Sequence, residues 1–319
     1  MISIVIPAYN EQEVLSTLIH RLVTVAEKWT HSYEIIFVDD GSSDATWQLI
    51  ADANSENRSV KGIRLSRNFG HQSAVTAGLK AAEGDAIIVM DADLQDPPEI
   101  LEQFIAKWEE GYEVVYAIRQ KRKENVFKRG AYFTFYRLLQ KLAEIDIPLD
   151  AGDFCIMDKK VLRDLNNLPE KHRFVRGLRS WVGYRQIGLE YERHARMTGE
   201  PKYTFRALVQ LALNGLLSFS SFPLRLASLC GFFCAGVSFL GVLFSLILRV
   251  GNLEIFGYNI RETPGTATIF LTVLFLGGIQ LITIGIIGEY MGRIYEEVKG
   301  RPTYLAQDTV GFIKDYMRK

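Results

Sequence analysis

Ala86-Ile87-Ile88-Val89-Met90-Asp91-Ala92-Asp93-Leu94-Gln95-Asp96-Pro97-Pro98 is an apolar, β-branched run that breaks abruptly into acid and proline. The run has the length and composition of a buried strand, and Pro98 suits the first turn of a helix, where its missing N–H costs nothing. The fragment therefore reads as strand, acidic turn, helix. Outward from it the same cadence repeats. Strands are expected at 2–6, 34–38, 62–65, 86–90 and 113–117, with helices at 11–27, 45–53, 72–82 and 98–108 between them. Strand and helix taking turns predict a doubly wound α/β domain with a parallel sheet.

In such a sheet, ligands sit beyond the carboxyl ends of the strands. Three of those ends are polar: Pro7-Ala8-Tyr9-Asn10-Glu11, Asp39-Asp40-Gly41-Ser42-Ser43-Asp44, and the acidic turn quoted above. If the extended geometry of the fourth strand persists past its end, Asp91, Asp93 and Gln95 project to one side. They would then offer the hard, oxygen-rich surroundings that suit Mg2+ or Mn2+. No Gly-x-Gly-x-x-Gly follows the first strand and no Walker-type Gly-Lys-Ser/Thr occurs, so dinucleotide and P-loop readings lose their main support.

The 37 basic and 37 acidic residues cancel, which excludes a general nucleic-acid binder that works by neutralising phosphates. Cys155, Cys230 and Cys234 form neither a disulfide framework nor a zinc pattern. The N-terminal apolar stretch is too short for a signal peptide, so the first domain is expected to stay where it is made. Residues 226–248 and 266–288 carry no charge at all. Each run can cross a hydrocarbon core of about 30 Å as a helix, and together they read as a transmembrane hairpin. The loop between them holds only Arg249 and Arg261 as basic residues, whereas the flanks carry Arg206, Arg225, Arg293, Lys299, Arg301 and Lys314. The positive-inside rule then puts both termini in the cytoplasm. Basic and aromatic residues interleave near 126–142, as in a helix lying on a membrane surface, and 205–222 reads as an interfacial helix leading into the hairpin. The expected organisation is a catalytic domain over 1–204, that interfacial helix, a hairpin over 223–289 and a cytoplasmic tail over 290–319.

Val5-Ile6-Pro7-Ala8-Tyr9-Asn10-Glu11, Val38-Asp39-Asp40-Gly41-Ser42 and the Asp91-to-Pro98 segment resemble the motifs of glycosyltransferase family 2, which has the GT-A fold. Arg67-Asn68-Phe69-Gly70-His71-Gln72, Gly152-Asp153-Phe154 and the paired apolar runs narrow the resemblance to the polyprenyl-phosphate glycosyltransferases. The resemblance implies that Pro7, Tyr9, Glu11, Val38 and Asp40 hold the nucleoside, while Asp91, Ala92, Asp93 and Gln95 meet the diphosphate. Asp91, Asp93 and Gln95 would also ligate the divalent metal. It implies further that Arg119 lies near the phosphates and that Arg129, Arg196 and Lys202 meet the lipid phosphate. Asp153, on its own a loop residue that would cap or turn, becomes by resemblance a catalytic or substrate-positioning carboxylate beside Asp91 and Asp93. His71, alone at a helix start, reads as structural.

The expected activity is inverting transfer of glucose from UDP-glucose to polyprenyl phosphate, by an inner-membrane enzyme that self-associates, as a tetramer by resemblance. Mannose, N-acetylglucosamine or an aminopentose are the alternative sugars. A non-catalytic membrane scaffold that senses nucleotide-sugar is the alternative class.

Overall fold

A computed structural model describes residues 1–120, 151–171, 173–192, 222–251 and 266–312. The chain divides into two compact units, one formed by Met1–Ser218 together with Arg301–Lys319, the other by Phe219–Gly300.

The first unit is built on β1 (Ile2–Ala8), β2 (Tyr33–Asp39), β3 (Val60–Leu65), β4 (Ala86–Val89), β5 (Val114–Gln120), β6 (Ala151–Asp158), β7 (Gln186–Glu192) and β8 (Ala306–Val310). The strand order is β7-β5-β6-β4-β1-β2-β3-β8. The centre is parallel as expected, with β1 between β2 and β4 and β3 beyond β2. All seven residues of β1 are buried, as befits a strand covered on both faces. Among the described residues, six α-helices connect or cover these strands: α1 (Gln12–Ala26), α2 (Thr46–Glu56), α3 (His71–Ala81), α4 (Leu101–Glu109), α5 (Lys159–Asn167) and α6 (Val175–Trp181).

Alternation along β2 assigns the two faces. Ile35 and Phe37 join a large core with Leu15, Leu18 and Leu22 of α1 and Leu101 and Phe104 of α4. Ile36 and Val38 point the other way, into a smaller cluster with Ala74 and Ala77 of α3. The small side chains of α3 let it lie close to the sheet: a Cβ added at Gly78 would stand 2.3 Å from Cγ1 of Val5.

Three features depart from the sequence expectation. The sheet is mixed, because β6 inserts antiparallel between β4 and β5. Asp153 is therefore a strand residue and not a loop residue. The stretch read as a tail instead supplies β8, which pairs antiparallel with β3 at the sheet edge. Its sequence, Ala-Gln-Asp-Thr-Val, has no apolar run to announce it, and only the exposed edge of β3 makes it a strand.

The described residues of the second unit form two long helices, α7 (Phe222–Gly251) and α8 (Thr266–Val298). Both contain a stretch long and apolar enough to cross a membrane. Phe232, Phe233, Leu281 and Ile282 are largely exposed on them, an arrangement that suits surroundings of lipid. The surface helix expected near 126–142 and nearly all of the one expected over 205–222 lie outside the described residues, as do Arg129, Arg196 and Lys202.

Candidate active site

Loop chemistry at the carboxyl ends of β1 and β2 locks two of the polar segments together. Asn10, in a left-handed conformation at φ 52°, donates its N–H to Ser42 Oγ at 2.9 Å. Its side-chain Oδ1 accepts from the Ser43 N–H, also at 2.9 Å. Glu11 N donates to Thr46 Oγ1, and Gln12 Oε1 accepts from Ala45 N. Asn10 and Ser42 stand in the polar segments quoted from the sequence, but Gln12, Thr46 and the pairing of all four do not show there. Their partners lie more than 30 positions away, a distance that local patterns cannot span.

Asp40, expected to meet the nucleoside, holds the next loop. Its Oδ1 accepts from Phe69 N at 2.7 Å and its Oδ2 from Gly70 N at 2.9 Å. Burial raises its pKa, and those two amide bonds oppose the rise. Each oxygen retains a free lone pair, so acceptor capacity remains for a ligand. Gly41, at φ 67°, permits the close approach of this loop, since a Cβ there would lie 2.5 Å from the Arg67 carbonyl carbon. Pro7 and Val38 are buried in β1 and β2, while Tyr9 is exposed and Glu11 half-buried at the mouth. Arg119 lies near the end of β5, paired with Tyr191 of β7.

The acidic turn differs in one respect from its reading in sequence. β4 ends at Val89, and Leu94 takes a left-handed conformation at φ 57°. Strand alternation therefore cannot align Asp91, Asp93 and Gln95. The turn is shaped instead by Asp93, whose Oδ1 accepts from Gln95 N at 3.1 Å. Asp96 is buried and accepts a hydrogen bond from the Tyr191 hydroxyl.

The antiparallel insertion of β6 completes the site. Val89 of β4 pairs with Cys155, which brings the Asp153 end of β6 beside the acidic turn. Between Asp91 and Asp153 stands His71, the first residue of α3. Its Nε2 is 3.2 Å from Asp153 Oδ2 and 3.9 Å from Asp91 Oδ1. Gln72 donates to the same Asp153 oxygen at 3.3 Å, while its own Oε1 accepts from Val175 N at the start of α6. Arg176 on α6 approaches Asp153 Oδ1 at 3.4 Å. Arg179, one turn on, is fully buried with Nε and Nη2 unbonded.

Charge follows this geometry. Burial would lower the His71 pKa, but the bond to Asp153 and the charges of Asp91 and Asp153 outweigh it and lift the value to about 9. Burial would raise Asp153, yet Arg176, His71 and Arg179 hold it far below the usual carboxylate range. Asp91 is pushed up to about 6, first by burial and then by Asp96, Asp153 and Asp93, with His71 pulling the other way. Its side chain keeps 32% of its accessible surface, so it still faces the cleft. His71 is thus a charged member of the site. Arg176 and Arg179 join it from a stretch with no motif to mark them.

Residues 3–165 match the model of glycosyl transferase family 2. The uncharacterized glycosyltransferase YkcC of Bacillus subtilis is 45% identical over 97% of this chain and 94% of its own length. The chain belongs to glycosyltransferase family 2. Another member, the uncharacterized glycosyltransferase sll0501 of Synechocystis, is 44% identical over 97% of this chain and 96% of its own. The SfII prophage-derived bactoprenol glucosyl transferase of Shigella flexneri is 39% identical over 95% of this chain and 96% of its own length. The similarity thus runs past the family 2 domain and through both long apolar helices. The α/β domain is the GT-A domain of this family.

Proposed function

We propose that this enzyme transfers glucose from UDP-glucose to a membrane-held polyprenyl phosphate, with inversion at the anomeric carbon. The observation that carries the reading is the near-full-length similarity to a bactoprenol glucosyl transferase, apolar helices included. The site chemistry agrees with it. Polar loops beyond β1 and β2 would hold the nucleoside through Asp40 and its neighbours, and the acidic turn beyond β4 would meet the diphosphate.

A divalent cation, Mg2+ or Mn2+, fits this turn. Burial first, and then the charges of Asp96, Asp153 and Asp93, raise the Asp91 pKa, and a dication would offset both. Among the described residues no three His, Cys, Asp or Glu side chains form a ready-made metal cage. Asp91 and Asp93, with Gln95, would hold the ion while other positions stay open to diphosphate oxygens and water, the coordination habit of Mg2+. When bound, the ion supplies charge neutralisation to the departing nucleoside diphosphate.

The acceptor needs little activation, because a phosphate monoester with a second pKa near ~6 is largely dianionic at neutral pH. The protein's task is alignment of that oxygen behind the sugar. Asp153 suits positioning: both its oxygens already have donors, from Arg176 on one side and His71 and Gln72 on the other. His71 contributes positive charge beside the acidic turn without giving up a proton.

The two apolar helices would hold the catalytic unit at the membrane where the lipid resides. A sheet cannot be assembled from both sides of a bilayer, so β1 to β7 and β8, which share one sheet, would lie on one side. With an inner-membrane location, that side is the cytoplasm, where nucleotide-sugars are made.

The deciding experiment offers radiolabelled UDP- and GDP-sugars to undecaprenyl phosphate in detergent, with and without Mn2+, using wild type and Asp93→Ala. Metal-dependent glucosylation of the lipid, lost in the variant, is the expected result. Transfer of another sugar would revise the donor. Donor binding with no lipid product would move the protein to the sensor class.

A further inference from the structure

We infer that residues 301–312, downstream of the apolar helices, are a working part of the donor-binding half, and that Arg64 is the positioning residue through which they act on it. The inference rests on the donor site proposed above and adds a segment and a residue to it.

Three separate contacts carry it. First, the C-terminal segment fixes the loop that Asp40 holds. Ser66, at the head of the β3–α3 loop, donates its N–H to the Leu305 carbonyl at 2.9 Å. A few residues on, Phe69 and Gly70 of the same loop donate to Asp40. The loop is therefore tied at one end to the C-terminal segment and at the other to the donor pocket.

Second, a charge is shared between them. Asp39 is fully buried at the end of β2, and its Oδ1 shapes the neighbouring turn by accepting from Ser42 N at 2.9 Å. Its Oδ2 is buried with no hydrogen bond, and Arg64 Nε stands 3.5 Å away. Such an acceptor depends strongly on the nearby cation, since a buried carboxylate left uncompensated is expensive. Arg64 lies on β3, directly across from Asp308 of β8, with the charged groups 4.0 Å apart. The guanidinium thus stands between an acid of the nucleotide turn and an acid of the C-terminal strand.

Third, apolar packing anchors the segment. Tyr304, Ala306 and Phe312 pack against the cluster formed by Ile36, Val38, Ile63 and Leu65 with α3. These residues back the same β2 and β3 ends that carry Asp39, Asp40 and the loop.

Chain order gives this arrangement a consequence. β8 is made after both apolar helices, so the pocket for a nucleoside diphosphate is finished only when the chain has passed through the hairpin and returned. Donor affinity then depends on a completed hairpin, while the reacting groups at Asp91 and Asp153 come from earlier strands.

The test measures UDP binding by calorimetry, in the presence of Mn2+, for the wild type, for a chain ending at Gly300 and for Arg64→Met. The truncated chain is expected to bind UDP about tenfold or more weakly, and a peptide of residues 301–319 added in trans should restore affinity. Arg64→Met should unfold cooperatively and raise the donor KM roughly threefold or more, with kcat at saturating donor held within about twofold. That split separates positioning of the donor from general loss of structure. If wild type binds UDP and Arg64→Met binds it equally well, the inference is overturned while the donor site stands. If the wild-type chain binds no UDP, the donor reading itself fails and the inference with it.

Discussion

Asp91 and His71 are the residues whose protonation reports most directly on the site. A carboxyl with its pKa raised to about 6 holds a proton below that pH, and a cation must displace it. Apparent Mn2+ affinity should therefore fall about tenfold per pH unit below that point and level off above it. Electron paramagnetic resonance titration of free Mn2+ across pH 4.5–8 checks this, and a break near the ordinary aspartate value would contradict the environment described. His71 has the opposite sign. Its folded pKa of about 9 lies above the unfolded value of 6.5, so its stabilising charge is fully present below 6.5 and is lost as pH rises through 9. Asp153→Asn removes the main partner and leaves burial in control, so the His71 resonance of the metal-free protein should titrate at or below 6.5. Transfer activity should drop roughly 100-fold through lost alignment. An unmoved His71 titration would separate Asp153 from the network.

At the scale of elements, the legible strands were those whose burial on both faces writes a continuous apolar run. The cores of β1, β2, β3, β4 and β5 were each expected within a few residues of where they lie. β6 was missed because Ala-Gly-Asp opens it, and glycine and aspartate signal a turn to any local reading. Only pairing with β4 and β5 makes it a strand, and that pairing is what delivers Asp153 to the site. The acidic turn is legible as a polar strand end but not as geometry, since Leu94 bends the chain where an extended path is expected. Arg176 and Gln72 reach Asp153 across 23 and 81 positions, beyond any spacing rule. The contact between α3 and the sheet is testable at Gly78, where an added methyl meets Val5 and Val38 side chains. Gly78→Ala should cost about 1–3 kcal/mol by overpacking, although alanine favours helix. Thermal unfolding reads this directly, and an unchanged or raised midpoint would mean that α3 can move away from the sheet freely.

For the whole molecule, the proposed topology rests on the sheet more firmly than on the distribution of charge. β3 and β8 are joined by a backbone ladder, and they flank the two apolar helices in the chain. A strand on the far side of a bilayer could not reach its partner, so an even number of crossings must separate them. Among the described residues two helices are long and apolar enough to be spans, and the proposed hairpin would use both. Under the proposed membrane reading, the asymmetry of basic residues, sparse between the helices and dense outside them, would independently put the sheet in the cytoplasm. α8 has 33 residues, and at about 1.5 Å per residue it is longer than a hydrocarbon core of about 30 Å. Its charged end, with Glu289, Arg293, Glu296 and Glu297, makes up the excess over that length. Single cysteines placed at position 2, within 252–265 and near 315, in a chain whose native Cys155, Cys230 and Cys234 are replaced, turn this into a labelling experiment. In intact cells a membrane-impermeant maleimide should label only the cysteine between the helices, with the terminal sites reacting after lysis. Labelling of one terminus but not the other in intact cells would place β3 and β8 on opposite sides, which the ladder between them forbids. Either the hairpin or the C-terminal strand would then have to be abandoned.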